Sequence, residues 1–306
     1  MKKNSKVFLV LLSIMTGMGL QARAQNGNGQ EILFGTSLDA RSQVEESRAL
    51  ARSLADPDSP QWRAKGDQRR VYYFAAAGEE MPYRVCVPNN WDGRSELPLV
   101  MFLHGGWNDE SSYLDANEKQ LVKLADHHGY ILVSPLGAHG AYGNSLRLPG
   151  QFGNDEASAE VLAGRTPQRD RAQELSEKDV INVLEMVLNE YPVDRSSMFL
   201  IGHSMGSAGT WYLGAKYPDY WKALAPMSGP FVLERGYPWE NIRRMPIFVS
   251  EGTRAYASLE GSRDLRDWMM ENRFKMEYKE VDADHPDMVP VILPEVFAFI
   301  NRCMGR

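Results

Sequence analysis

The chain has 306 residues, 43% apolar and 24% charged, with 26 Gly and 17 Pro. These proportions exclude disordered, collagen-like and coiled-coil classes and leave a globular protein large enough for a sizeable core. The formal charge is −6, and the four basic side chains of the first 24 residues are not offset by any acid, so a chain without them carries −10. That balance argues against nucleic acid and anionic membrane surfaces as partners, because both reward clustered Lys and Arg.

Lys2, Lys3 and Lys6 precede a 14-residue, mostly apolar run from Val7 to Leu20, and Ala22-Arg23-Ala24 has the small-x-small form of a cleavage point. Residues 1–24 therefore read as a signal peptide. A run of that length falls short of the roughly 20 residues a membrane-spanning helix needs. No Cys follows the cleavage point to carry a lipid, so the mature protein is expected to be secreted or periplasmic, without a membrane span. Asn26–Gln30 is polar and Gly-rich, as an untethered terminus is. Asp39 then leads a polar stretch to Leu54, read as a solvated leader helix that stops before Asp56-Pro57, so residues 25–69 form a leader with one helix.

Arg70–Ala75 and Pro82–Val87 are β-rich and joined through Ala77-Gly78-Glu79-Glu80, the pattern of a hairpin. From there short apolar runs alternate with helical patterns. Strands are expected at 99–103, 130–134, 198–202, 223–227, 246–250 and 276–281, and helices at 115–128, 177–191, 205–216 and 258–272, with a last one ending at Ile300. Alternation of this kind predicts an α/β fold with a mostly parallel sheet covered on both faces. The connection 136–175 is long and Gly-rich and leaves a strand's carboxyl end, where parallel sheets bind ligands, so it is a candidate wall of a site. The two cysteines, Cys86 and Cys303, are too few for a disulfide framework and read as free thiols.

Gly202-His203-Ser204-Met205-Gly206 matches G-x-S-x-G between an apolar strand and a helix-forming stretch. In that context the glycines permit a tight turn that presents Ser204 as a nucleophile. A serine hydroxyl needs an adjacent base, and His285 is the one histidine of six that follows Ser204, as the chain order of this motif demands. The Asp282–Asp287 cluster lacks the Gly and Glu that a calcium loop would require, so no metal is expected there. The oxyanion formed on attack needs backbone donors. The N–H of Met205 is one, and the His104-Gly105-Gly106-Trp107 turn offers Gly106 or Trp107 as the other.

With these motifs, the chain resembles the α/β-hydrolase superfamily over roughly residues 70–303, and within it the secreted polyhydroxybutyrate-depolymerase-like and feruloyl-esterase-like branch, related to the prolyl-oligopeptidase catalytic domain. Further matching pieces are Pro82–Pro88, Leu97–Gly106, Asp179-Val180, Tyr191–Asp194, Lys216–Asp219 and Ala225–Gly229. The resemblance implies ester hydrolysis through an acyl-enzyme with no metal or organic cofactor. It also exposes a departure: the position where the family carries its triad acid falls on Ala255. Either another carboxylate substitutes (Glu251, Glu260, Asp264, Asp282, Asp284 or Glu234), or the site is a Ser–His dyad, or the fold survives as a binding module. Trp107, Tyr142 and Trp239, with Tyr113, Tyr237 and Tyr256, lie on turns near strand ends and are candidates to stack on a sugar ring or a phenolic acid. The expected activity is a carboxylesterase acting on carbohydrate-linked, aryl or short-chain esters, with a small serine peptidase as the competing enzyme.

Overall fold

Runs of Val, Ile, Leu, Met and Phe too short for a buried helix become strands covered on both faces. In the computed structural model, residues 39–137, 142, 152, 166–230, 232, 234, 237–255 and 258–306 are described. The expected signal peptide, Asn26–Gln30, Tyr256 and most of the 136–175 connection lie outside them. The strands are β1 (Gly66–Phe74), β2 (Glu79–Val87), β3 (Leu97–Leu103), β4 (Ile131–Pro135), β5 (Val193–His203), β6 (Ala223–Met227), β7 (Ile247–Gly252) and β8 (Met276–Val281). They form one sheet in the order β1-β2-β4-β3-β5-β6-β7-β8. The β1–β2 hairpin and the β2–β4 pair are antiparallel, and every pairing from β4 to β8 is parallel.

Strand alternation divides the core in two. Leu99, Met101, Leu103, Met198 and Leu200 face a layer containing α1 (Ala40–Ser53), α3 (Pro167–Glu190), α4 (Met205–Lys216) and α5 (Leu259–Glu271). Val100, Phe102, Phe199 and Ile201 face α2 (Ser112–His128) and α6 (Met288–Cys303). Each such side chain contributes roughly 1.5–3 kcal/mol through its removal from water. Among the described residues, no helix is long and apolar enough to cross a membrane. Both thiols are free, with Cys86 buried in the α2 side of the core.

Two elements depart from expectation. The leader helix α1 is docked rather than solvated: it buries Gln43, Ser47 and Ala51, spaced four apart, and Ser47 Oγ donates to Asn182 Oδ1 of α3 at 2.6 Å. Its inward side mixes polar Gln43 and Ser47 with Ala51 and the partly buried Ala40, Val44 and Leu50, so the apolar stripe that marks a docked helix is weak. Helix α3 starts at Pro167, ten residues before the expected Glu177, because Thr166 caps it by accepting from the Arg169 N–H at 3.2 Å and Pro167 opens it. Threonine followed by proline is a start signal that was available in the sequence.

Candidate active site

The carboxyl ends of four neighbouring strands supply the site: Ser204 follows β5, Ser228 follows β6, Glu251 lies at the end of β7, and His285 follows β8. Ser204 adopts φ 57°, ψ −115°, a backbone region hostile to side chains. The flanking glycines make the turn possible. A Cβ on Gly202 would stand 2.3 Å from the Gly206 carbonyl oxygen, and one on Gly206 would stand 2.0 Å from that of Leu103. The second contact also shows how tightly the elbow is pressed against the end of β3, where the His104-Gly105-Gly106 turn begins. At the far end, a Cβ on Gly252 would lie 2.6 Å from the Ala283 carbonyl oxygen, so this glycine lets the segment bearing His285 close over β7.

The side chains form a directed chain. Ser204 Oγ lies 2.8 Å from His285 Nε2, His285 Nδ1 lies 2.7 Å from Ser228 Oγ, and Ser228 Oγ lies 2.7 Å from Glu251 Oε1. A carboxylate oxygen accepts, so the Ser228 hydroxyl donates to Glu251 and accepts from His285 Nδ1–H. The imidazole is thereby fixed as the tautomer whose Nε2 is free to take the Ser204 proton. Glu251 is fully buried. It also accepts from the Gly252 and Gly229 N–H groups, each at 3.1 Å, and from Ser262 Oγ at 2.7 Å. Four donors match the acceptor capacity of one carboxylate. Burial lowers the His285 pKa below 6.5, and the negative charges of Glu251 and Asp284 act against that shift.

Glu251 is thus the one expected substitute that reaches the histidine, and it does so through a serine that sequence reasoning did not single out. Ser228 has φ 52°, and its N–H donates to the Ser250 carbonyl at 2.8 Å, which turns its side chain between β6 and β7. Ala255 closes a tight turn through its N–H to the Gly252 carbonyl. Asp282 pairs with Arg254 at 2.9 Å, and Asp284 accepts from the Asp287 N–H at 3.0 Å. Neither bonds to the His285 ring.

A second network, also unforeseen, braces the same groups. His203 Nε2 lies 2.8 Å from the His285 carbonyl oxygen and must donate to it, so its Nδ1, 2.6 Å from Tyr113 Oη, accepts from that hydroxyl. Tyr113 in turn accepts from the Gly105 N–H. Burial and the neighbouring His285 hold the His203 pKa down to about 3, which keeps this imidazole neutral. Burial also pushes the Tyr113 hydroxyl up to about 12. The turn after β3, the elbow and the His285 segment are joined by this wire.

Met205 opens α4 and so has no intrahelical acceptor for its N–H, and among the described residues no group takes the N–H of Gly106 or Trp107. The Trp107 side chain is 90% exposed. Of the other candidate stacking residues, Tyr113 has its hydroxyl engaged with His203, Tyr237 is buried with its hydroxyl donating to the Trp211 carbonyl, and Tyr142 and Trp239 are not available for that role either. Tyr142 is fully buried, edge-on to His104, and Trp239 is 9% exposed, surrounded by Trp211, Tyr237, Trp268 and Phe274. Both rings belong to the core, Tyr142 against Gly209 of α4 and Trp239 against Trp211 of α4 and Trp268 of α5.

The Esterase family model matches residues 75–285, from the hairpin through His285. The chain belongs to this esterase family. The esterase is 25% identical over 181 residues to the bifunctional acetylxylan esterase/xylanase XynS20E of Neocallimastix patriciarum, a match covering 59% of this chain and 22% of that protein. The chain therefore spans about a fifth of the length of the curated relative it matches. Among solved structures it resembles FphF, a fluorophosphonate-binding serine hydrolase of Staphylococcus aureus, with TM-score 0.58 and 16% identity over 78% of this chain and 99% of that one. It also resembles the CE1 ferulic acid esterase AmCE1/Fae1A of Anaeromyces mucronatus in complex with ferulic acid, with TM-score 0.53 and 17% identity over 79% and 94%. At these identities the two likenesses establish a shared α/β-hydrolase fold.

Proposed function

We propose that this esterase is a secreted serine carboxylesterase, directed into export by residues 1–24, and that it cleaves carbohydrate-linked, aryl or short-chain esters through an acyl-enzyme on Ser204. The observation that carries this reading is the unbroken chain from Ser204 Oγ through His285 and Ser228 to Glu251, with links of 2.8, 2.7 and 2.7 Å. That one similar protein is an acetylxylan esterase and another a ferulic acid esterase supports the substrate class.

In acylation, Ser204 Oγ attacks the ester carbonyl carbon while His285 Nε2 takes its proton, and the carbonyl electron pair moves onto oxygen. The N–H of Met205, with that of Gly106 or Trp107, receives the oxyanion, and the amino-terminal end of α4 adds its dipole. The imidazolium is stabilised by Nδ1–H donation to Ser228, whose own hydroxyl leans on the Glu251 carboxylate. Collapse of the tetrahedral adduct breaks the bond to the alcohol oxygen, which leaves with the proton from Nε2. A water then repeats the attack on the acyl-enzyme, again deprotonated by His285, and releases the acid with Ser204 restored. The Tyr113–His203 wire positions the two sides of this site and exchanges no proton with substrate.

Ser204→Ala tests the nucleophile with p-nitrophenyl acetate. Its kcat is expected to fall at least about 10³-fold with an unchanged circular-dichroism spectrum, since the substitution removes a single half-buried oxygen and leaves the backbone turn intact. Retention of wild-type turnover would end the serine mechanism.

A further inference from the structure

The turn that follows β3 has a backbone conformation that its own residues oppose. The Asn108 N–H donates to the Gly105 carbonyl at 3.4 Å, closing a turn with Gly106 and Trp107 at its centre. Trp107 has φ 61°, whereas the φ of Gly106 lies outside the left-handed region. A closed turn in which only the third residue is left-handed is type II, and that position calls for glycine or asparagine. Here it holds a bulky tryptophan, and the glycine sits one place earlier, where a Cβ would meet nothing within 4 Å. Rotating the Gly106–Trp107 peptide by about 180° would give a type I turn, with Trp107 returned to the ordinary right-handed region. Left to itself, the peptide would turn over.

One side chain opposes that rotation. Asn108 Nδ2 donates to the Gly106 carbonyl at 2.9 Å, and among the described residues no other group holds this oxygen. The flanks of the turn are pinned by other bonds. The Gly105 N–H donates to Tyr113 Oη, His104 Nδ1 lies 2.9 Å from the Gly105 carbonyl oxygen, and Asp109 accepts from the N–H groups of Ser111 and Ser112 at 3.0 and 2.8 Å. Across a trans peptide the N–H points opposite to the C=O. With the Gly106 carbonyl turned to Asn108, the Trp107 N–H is therefore directed away from Asn108, and it has no acceptor among the described residues. The turn abuts the nucleophile, since a Cβ on Gly105 would lie 3.4 Å from Ser204 Cβ. In the rotated peptide a carbonyl oxygen would stand where the N–H now is, and it would repel an oxyanion instead of binding it.

Resting on the esterase reading above, we propose that Asn108 is a positioning residue for the oxyanion hole. Its amide latches the Gly106–Trp107 peptide against the strain at Trp107, and the latched peptide presents the Trp107 N–H as the second donor beside that of Met205. Asn108 is exposed, so the latch adds nothing to the core and acts through the peptide rather than on the substrate. The left-handed tryptophan and the amide that follows it are two halves of one device: strain that favours rotation, and a hydrogen bond that prevents it.

The test measures kcat and KM for p-nitrophenyl acetate in the wild type, Asn108→Ala, Trp107→Gly and the double variant. Without the latch, about a tenth of the molecules should keep the peptide in its productive orientation. Acylation and deacylation both pass through an oxyanion, so Asn108→Ala should lower kcat about tenfold with KM and Tm nearly unchanged. Glycine accepts a positive φ without strain, so in the Trp107→Gly background the same Asn108→Ala change should cost no more than about threefold. Comparing variants within one background cancels whatever the indole itself contributes. Equal losses in the two backgrounds, or a loss that appears in KM instead of kcat, would overturn the latch. Full kcat in Asn108→Ala would overturn it too and leave the Gly106 N–H as the donor. A wild type that hydrolyses no ester would refute the esterase reading and the latch with it, whereas the other outcomes refute the latch alone.

Discussion

Two arms meet at His285, and they are held by different physics. The Ser204 arm is a backbone construction: Gly202 and Gly206 leave no room for a Cβ, and Ser204 is locked at φ 57° between β5 and α4. The Glu251 arm is a side-chain construction, in which hydroxyls and amides from β6, β7 and α5 converge on one buried carboxylate. The first arm is set by backbone contacts, within the elbow between Gly202 and Gly206 and against the end of β3 at Leu103, and tolerates no rearrangement. The second can move its acid along a strand, provided another polar side chain spans the remaining distance, and in this esterase Ser228 spans it.

The largest effect should come from the rigid arm. Gly206→Ala forces a methyl group to 2.0 Å from the Leu103 carbonyl oxygen, and it is expected to abolish p-nitrophenyl acetate hydrolysis and lower Tm by several degrees, roughly the shift of a 1–3 kcal/mol loss. A variant with wild-type Tm and turnover would mean the elbow is not rigid. Glu251→Gln should come next, with kcat down by about 10²–10⁴, because the imidazolium loses its buried anion while the shape of the side chain is kept. Ser228→Ala should cost less than or as much as Glu251→Gln, since a water can enter where the hydroxyl was.

The pH profile gives a finer distinction. Burial depresses the His285 pKa, so the base stays neutral to a lower pH than an ordinary imidazole. The acid limb of kcat/KM should therefore have its midpoint below 6.5, with activity lost as pH falls through it. Glu251 raises that pKa against burial, so Glu251→Gln should move the midpoint to still lower pH. A limb that moves upward in the variant would contradict electrostatic support of His285 by Glu251. Tyr113→Phe removes the donor to His203 Nδ1 and is expected to lower kcat about tenfold with little change in KM, the cost of one hydrogen bond. The smallest effect is reserved for Ala255→Asp, which should change kcat/KM by no more than about threefold, because His285 already has its partner. A large gain there would show that the Glu251 arm is idle.

The parts of this esterase that could be read without coordinates are those whose determinants lie close together along the chain. Alternating strands and helices predicted the parallel sheet, and the residues of G-x-S-x-G carry their own steric reason for a turn. His285 was reachable because it alone follows Ser204. Of the acid arm, Glu251 was legible only as one of six candidate carboxylates, and Ser228 not at all, since the two meet through the β6–β7 register and a positive φ at Ser228, neither of which has a sequence signature. Aromatic residues misled for a related reason. Tyr142 and Trp239 lie among residues whose composition suggests turns, yet composition does not decide burial, and both rings are packed against the core. The left-handed turn at Asn117–Lys119 had no glycine to announce it, and buried Gln43 and Ser47 concealed a docked helix in α1.

The central claim is that Glu251 serves His285 through Ser228, and a double-mutant cycle tests it most directly. The values of kcat/KM for p-nitrophenyl acetate would be compared in the wild type, Ser228→Ala, Glu251→Gln and the double variant. If the two residues act as one arm, the double variant should be within about threefold of Glu251→Gln alone, since removing either one disconnects the same support. Losses that multiply, or a Glu251→Gln variant as active as the wild type, would contradict the arm.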